Sequence, residues 1–147
     1  LPSLNESPAI SDIQFASSIE ETEENLKFVK GNLQVVPYPL HIYRIPFPLL
    51  LYFEIYGLDT DNKGLAFYTV EYSIVPLKKR RKGPVLEDIP PAIISRFEAT
   101  SYGPRQAQRI SIATENLWEG PFKLIVSVMD RRTLKESKKT ANFSILD

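Results

Sequence analysis

Leu49-Leu-Leu-Tyr-Phe-Glu-Ile-Tyr56 is the stretch on which the fold turns. Leu51, Phe53 and Ile55 fall on one side of an extended chain, and Tyr52, Glu54 and Tyr56 on the other, because successive side chains of a strand point to opposite faces. The segment has strand length, is rich in aromatic and branched residues, and ends at Gly57. A turn-rich loop over 57–65 follows, then a returning strand from Ala66 to Leu77, with Val70, Tyr72 and Ile74 on one face and Phe67, Thr69 and Glu71 on the other. The same alternation recurs in Phe122-Lys-Leu-Ile-Val-Ser-Val128, within a strand expected over Phe122–Asp130. Leu51, Phe53, Ile55, Val70, Tyr72, Ile74, Leu124, Val126 and Val128 are therefore expected to share one core.

Outward from these segments the chain continues in short strands. Residues 1–9 read as a loose lead-in. Ile10–Ile19 alternates as a strand, and an acidic connection with Glu20, Glu21, Glu23 and Glu24 follows. Ser18 and Glu21 have capping-box spacing, which allows a helical turn within Ser18–Asn25. Leu26–Val36 reads as a small hairpin turning at Gly31-Asn32. Further strands are expected over Ala92–Tyr102 and Arg105–Thr114, meeting at Gly103-Pro104, and over Thr140–Leu146. The 12 prolines gather in the connections, where a residue without an N–H does no harm to a ladder. The pattern predicts an all-β, immunoglobulin/fibronectin-like sandwich of about seven to nine antiparallel strands, as a single domain over 10–147.

A chain of 147 residues can bury one self-sufficient core, so the absence of Cys is no handicap. Lys and Arg total 18 and Asp and Glu total 18. This balance argues against nucleic acid as partner, which calls for a basic surface. No apolar run reaches the roughly 18 residues needed to span a bilayer. The chain opens Leu1-Pro2-Ser3, so the expectation is a fragment or mature form, with any targeting signal upstream.

Leu117-Trp-Glu-Gly-Pro-Phe122 is similar to the corner before a late strand in immunoglobulin-like domains, where a Tyr hydroxyl bonds to backbone. Phe122 takes the Tyr place and keeps only its packing. Several segments together, Ile10-Ser-Asp-Ile-Gln14, Phe28-Val-Lys30 with Val36-Pro-Tyr-Pro39, Leu51–Leu58, Tyr68-Thr-Val-Glu-Tyr72 and Gly120–Asp130, resemble the β-domain that follows the GWxTD domain in uncharacterised exported bacterial proteins. Tyr38 stands where such proteins carry Asn, and the Gly-Trp-x-Thr-Asp motif itself is absent. The resemblance implies a C-terminal module of an exported protein, periplasmic or in the cell envelope, and supplies no catalytic residues.

Four groups of residues invite a site. His41 lies in a Pro-flanked loop, and a solvated loop histidine is the favoured reading, since one His cannot build a typical zinc site. Asp59-Thr-Asp-Asn-Lys-Gly64 imitates the start of a calcium loop. However, Lys63 and Val70 stand where ligands are needed, and a turn is expected instead. Lys78, Lys79, Arg80, Arg81 and Lys82 form a basic patch that could meet phosphates, an anionic membrane or an acidic polymer, with a solvated loop between strands as the favoured reading. Finally, if the outward faces of the two central strands adjoin, Tyr52, Glu54, Tyr56, Phe67, Thr69 and Glu71 make an aromatic and acidic surface suited to a peptide or a sugar, the favoured reading being that the N-terminal strand, another loop or a partner subunit covers it. Glu54 and Glu71 could also pair as in a glycosidase, the least supported reading. The expected function is a non-catalytic interaction or accessory module that binds another domain or subunit and needs no cofactor or metal. A carbohydrate-binding module is the alternative.

Overall fold

A computed structural model describes residues 8–21, 29–30, 33–37, 41–77 and 91–147. Every regular element among them is a strand: β1 (Ala9–Ile10), β2 (Gln14–Glu21), β3 (Val29–Lys30), β4 (Leu33–Pro37), β5 (Ile42–Arg44), β6 (Leu49–Tyr56), β7 (Leu65–Pro76), β8 (Ile93–Tyr102), β9 (Gln106–Ile112), β10 (Gly120–Asp130) and β11 (Glu136–Leu146). The basic run 78–82 lies outside the described residues.

Two sheets form. In the first, β6 carries β9 along one edge, and β1 and β2 along opposite ends of the other, with β4 and β3 beyond β2. In the second the order is β5-β11-β10-β7-β8. All pairings are antiparallel except β5 with β11, which is parallel. Two sheets in this order, closed by the corner before β10, make the immunoglobulin/fibronectin-like sandwich.

The core lies between the sheets. Leu51, Phe53 and Ile55 of β6 meet Val70 and Ile74 of β7 and Phe122, Leu124, Val126 and Val128 of β10, all fully buried, with Tyr72 packed at the margin. Each such side chain contributes roughly 1.5–3 kcal/mol of transfer free energy. An aromatic series runs through one end: Trp118 and Phe122 tilted at 5.3 Å, Phe122 and Phe143 stacked at 5.7 Å, then Phe143 and Phe15 at 5.9 Å and Phe15 and Tyr43 at 6.2 Å, both tilted. Phe122 thus holds the corner by packing, as its sequence position suggests. A phenol does bond to backbone elsewhere, where the buried Tyr43 hydroxyl donates to the Ala16 carbonyl at 2.8 Å and ties β5 to β2.

Three local readings differ from the structure. The strand read over Ile10–Ile19 is broken at residues 11–13. There the Ser11 N–H donates to the Glu54 carbonyl, and the Glu54 N–H donates to Ser11 Oγ, so a side chain takes the place of a ladder acceptor. Ala9, read as lead-in, already pairs with Tyr56. Residues 18–21 continue β2 against β4 rather than turning into a helix, because Ile19 through Glu21 find ladder partners in Val35 through Leu33, while the rest of the expected helical turn, 22–25, lies outside the described residues. The hairpin reading holds where Val29 and Lys30 pair with Gln34 and Leu33; residues 26–28 and the turn residues 31–32 lie outside the described set.

Candidate functional site

The outward face of β6 gathers titratable groups around Glu54. Alternation places Tyr52 and Tyr56 two residues to either side, so all three side chains rise from the same face. The Tyr52 hydroxyl donates to Glu54 Oε1 at 2.9 Å, and the Tyr56 hydroxyl donates to Glu54 Oε2. Arg105 enters from the turn before β9, whose register sets Gln106 opposite Ile55. Its Nη2 lies 3.5 Å from Glu54 Oε2, and its guanidinium sits over the Tyr56 ring, 5.1 Å from the centroid. Tyr52 is only 3 % exposed, packed with Ala16, Leu50 and Ala107.

Both phenols are held protonated. Burial, and after it the bond to Glu54, pushes Tyr52 well above the usual phenol range. Tyr56 is raised chiefly by its hydrogen bond to Glu54. The cluster is therefore a set of donors satisfied by one carboxylate. It offers no activated nucleophile, since a protonated phenol or an occupied carboxylate must first break its partner's bond. Arg105 and Ser11 were not legible as members. Each reaches Glu54 only through a strand pairing, and the residues flanking them carry no signal of it.

Phe67, Thr69 and Glu71 do not join this surface. They lie on the outward face of β7, which belongs to the other sheet. The six residues expected as one face thus form two groups on opposite sides of the sandwich, and Glu54 and Glu71 share no cleft. The loop 57–64 crosses between sheets instead of closing a hairpin, helped by Gly57 and Gly64 at φ of 74° and 80°. Thr69 is buried rather than exposed, at 5 %. It stands between Met129 of β10 and Glu98 of β8 in the middle of the sheet, a small side chain among longer neighbours.

The carboxylates of the loop are engaged by the protein. Asp61 Oδ1 accepts from the N–H groups of Lys63 and Leu65, both at 2.9 Å, and these bonds hold its carboxyl below the usual carboxylate range. Asp59 Oδ2 accepts from Arg132 Nε at 2.9 Å. Asp130, at the inward end of β10 and fully buried, accepts from the N–H groups of Asp59 at 2.7 Å and Arg132 at 2.9 Å. Two loops are thereby fastened to one carboxylate, a role the sequence did not announce beyond an Asp ending an apolar stripe. Among the described residues, no group of three or more His, Cys, Asp or Glu is placed to hold a metal ion. No helix of the described residues is long and apolar enough to cross a membrane. His41 is exposed, with its ring 4.4 Å from that of Phe15 and its carbonyl accepting from the Ser144 N–H.

A separate cavity of about 380 Å³ opens where β2, β5 and the start of β6 meet, lined by Ser17, Ile42, Tyr43, Arg44, Phe47, Pro48 and Leu50. Its charged residue, Arg44, donates to the Asp147 carbonyl at 3.0 Å. No protein-family model matches the chain, and no curated protein matches its sequence.

Proposed function

We propose that the chain is a non-catalytic interaction module whose partner adds to an open sheet edge, and that it serves an exported bacterial protein. The export reading rests on the sequence resemblance alone. The interaction reading rests on one observation. Strand β8 ends its sheet, is paired only with β7 among the described residues, and shows Ile94 and Tyr102 to solvent at 63 % and 91 % exposure. An open edge offers unpaired backbone donors and acceptors, the substrate of strand addition. The arrangement around Glu54 supports the non-catalytic part, because its polar groups are spent on one another. A carbohydrate platform gains nothing here: Tyr52 is buried, and Arg105 covers a face of Tyr56.

The test places a photo-crosslinking residue at Thr100 on β8 and, as control, at Lys123 of β10, which lies mid-sheet between Val75 of β7 and Asn142 of β11, in the chain carried in a bacterial envelope. Protein adducts from position 100 and none from position 123 are expected. Equal adducts from both, or none from either, would overturn the reading.

A further inference from the structure

The sheet edges differ in how they are guarded. Among the described residues, β3 has 2 residues, β5 has 3 and β9 has 7, and the part of β11 that β5 leaves open, 136–143, carries Lys138 and Lys139, whereas β8 has 10. Natural edges are blunted by shortness, Pro, Lys, bulges or inward charges. β8, Ile-Ile-Ser-Arg-Phe-Glu-Ala-Thr-Ser-Tyr, has no Pro, Gly or Lys, and its inward positions carry no charge. Its register with β7 runs without a slip from Ile93 opposite Ile74 to Tyr102 opposite Leu65. Its only charges are Arg96 and Glu98, both exposed on the outward face and two residues apart.

That spacing is self-complementary. We propose that β8 pairs antiparallel with β8 of a second copy of this chain, on a two-fold axis at Phe97. The proposal rests on the reading of β8 as the interaction edge and names its occupant. For the inward faces of both copies to stay on one side of a continuous sheet, opposed residues must share parity. An axis at Arg96 or Glu98 sets a charge against its own copy. An axis at Phe97 sets Arg96 opposite Glu98 twice, Ile94 opposite Thr100, and the half-buried Phe97 against itself, so that the core face continues across the junction. Glu98 already holds Arg131 at 3.5 Å, and the second copy's Arg96 would give this carboxylate a second cation. The contact is isologous and closes after two copies.

One strand pair buries less than the roughly 1,200 Å² of a standard interface, so association is weak and is read at concentrations on the order of 100 μM and above. Sedimentation of the 147-residue chain across that range should show a monomer–dimer equilibrium. Arg96→Glu and Glu98→Arg each turn two attractive cross-strand pairs into repulsive ones, and each alone should weaken association roughly tenfold or more. An equimolar mixture of the two variants recreates both attractive pairs and should associate as wild type does, an outcome that local damage to either variant could not give. A wild type that stays monomeric, a variant that dimerises unchanged, or a mixture that fails to recover would each overturn the proposal. Adducts from position 100 to a different protein, with a monomeric wild type, would reject the second copy yet keep the module reading. No adducts at position 100 would reject both.

Discussion

The two faces of β6 are both withdrawn from water, by different means. Inward, Leu51, Phe53 and Ile55 are buried by packing against the opposite sheet. Outward, Tyr52 is buried almost as fully, though no second sheet of the described residues lies over it. The ring packs with Ala16, Leu50 and Ala107 of its own sheet, and its hydroxyl donates to Glu54. A polar outward face is thus not the same as a free one. Packing gives the inner face its stability, and hydrogen bonding gives the outer face its order.

The sharpest way to break this contrast is to delete the centre of the inner face. Phe53→Ala should cost roughly 3–5 kcal/mol in chemical denaturation, the transfer free energy of the ring plus the cavity it leaves. A cost near 1 kcal/mol would mean that the two faces are held alike. The next effect is alkaline. Tyr68 is buried between the sheets, its hydroxyl donating to Gln108 Oε1 at 2.9 Å, and burial raises its pKa from 10.0 to about 12. The unfolded chain gives up this proton near pH 10 and the folded chain near pH 12. Stability is therefore fully present below pH 10 and falls as pH rises towards 12, by on the order of 3 kcal/mol for this group. Tyr68→Phe should remove that part of the alkaline slope, at a neutral-pH cost of about 1 kcal/mol. An unchanged slope would place the titration elsewhere.

The sandwich class was legible because β6, β7 and β10 each bury one face, and a period of two survives any arrangement of neighbours. Sheet membership was not. The apolar stripes of β6 and β7 look the same whether the strands pair with each other or face each other across the core. What separates the two cases is the path of loop 57–64, fixed by Leu58 donating to the Pro104 carbonyl and by Asp59 donating to Asp130, contacts with residues far along the chain. The candidate site inherited that ambiguity. Tyr52, Glu54 and Tyr56 were found together because they share one strand. Phe67, Thr69 and Glu71 were misplaced beside them because their strand was assigned to the same sheet. Arg105 could be found only once β9 was known to lie beside β6. The parallel pairing of β5 rests on three residues and leaves no periodic trace.

Glu54 measures what hydrogen bonding contributes to the outer face. Glu54→Ala removes the carboxylate that two phenols and Arg105 share and should cost about 2 kcal/mol, most of it from the lost bond of the buried Tyr52 hydroxyl. In a double-mutant cycle, Tyr52→Phe should recover part of that loss, because the hydroxyl that Glu54 accepts from is gone too. Strict additivity would show that the ring's packing, and not the network, holds this face.

The smallest effect tests whether the outer face of the second sheet is ordered in the same way. Thr69 and Thr100 both point outward, on neighbouring strands, but Thr69 is buried between two flanking strands and Thr100 is exposed at the edge. Thr69→Ala removes a methyl group and a hydroxyl shielded by its neighbours and should cost about 1 kcal/mol, close to one buried methylene together with the loss of β-branching. Thr100→Ala should stay within about 0.5 kcal/mol, as surface substitutions do. Measured side by side, the difference isolates burial within a single sheet from burial between sheets. Equal costs would show that the outer face of β7 is open after all, and that the shielding seen at Tyr52 belongs to its cluster alone.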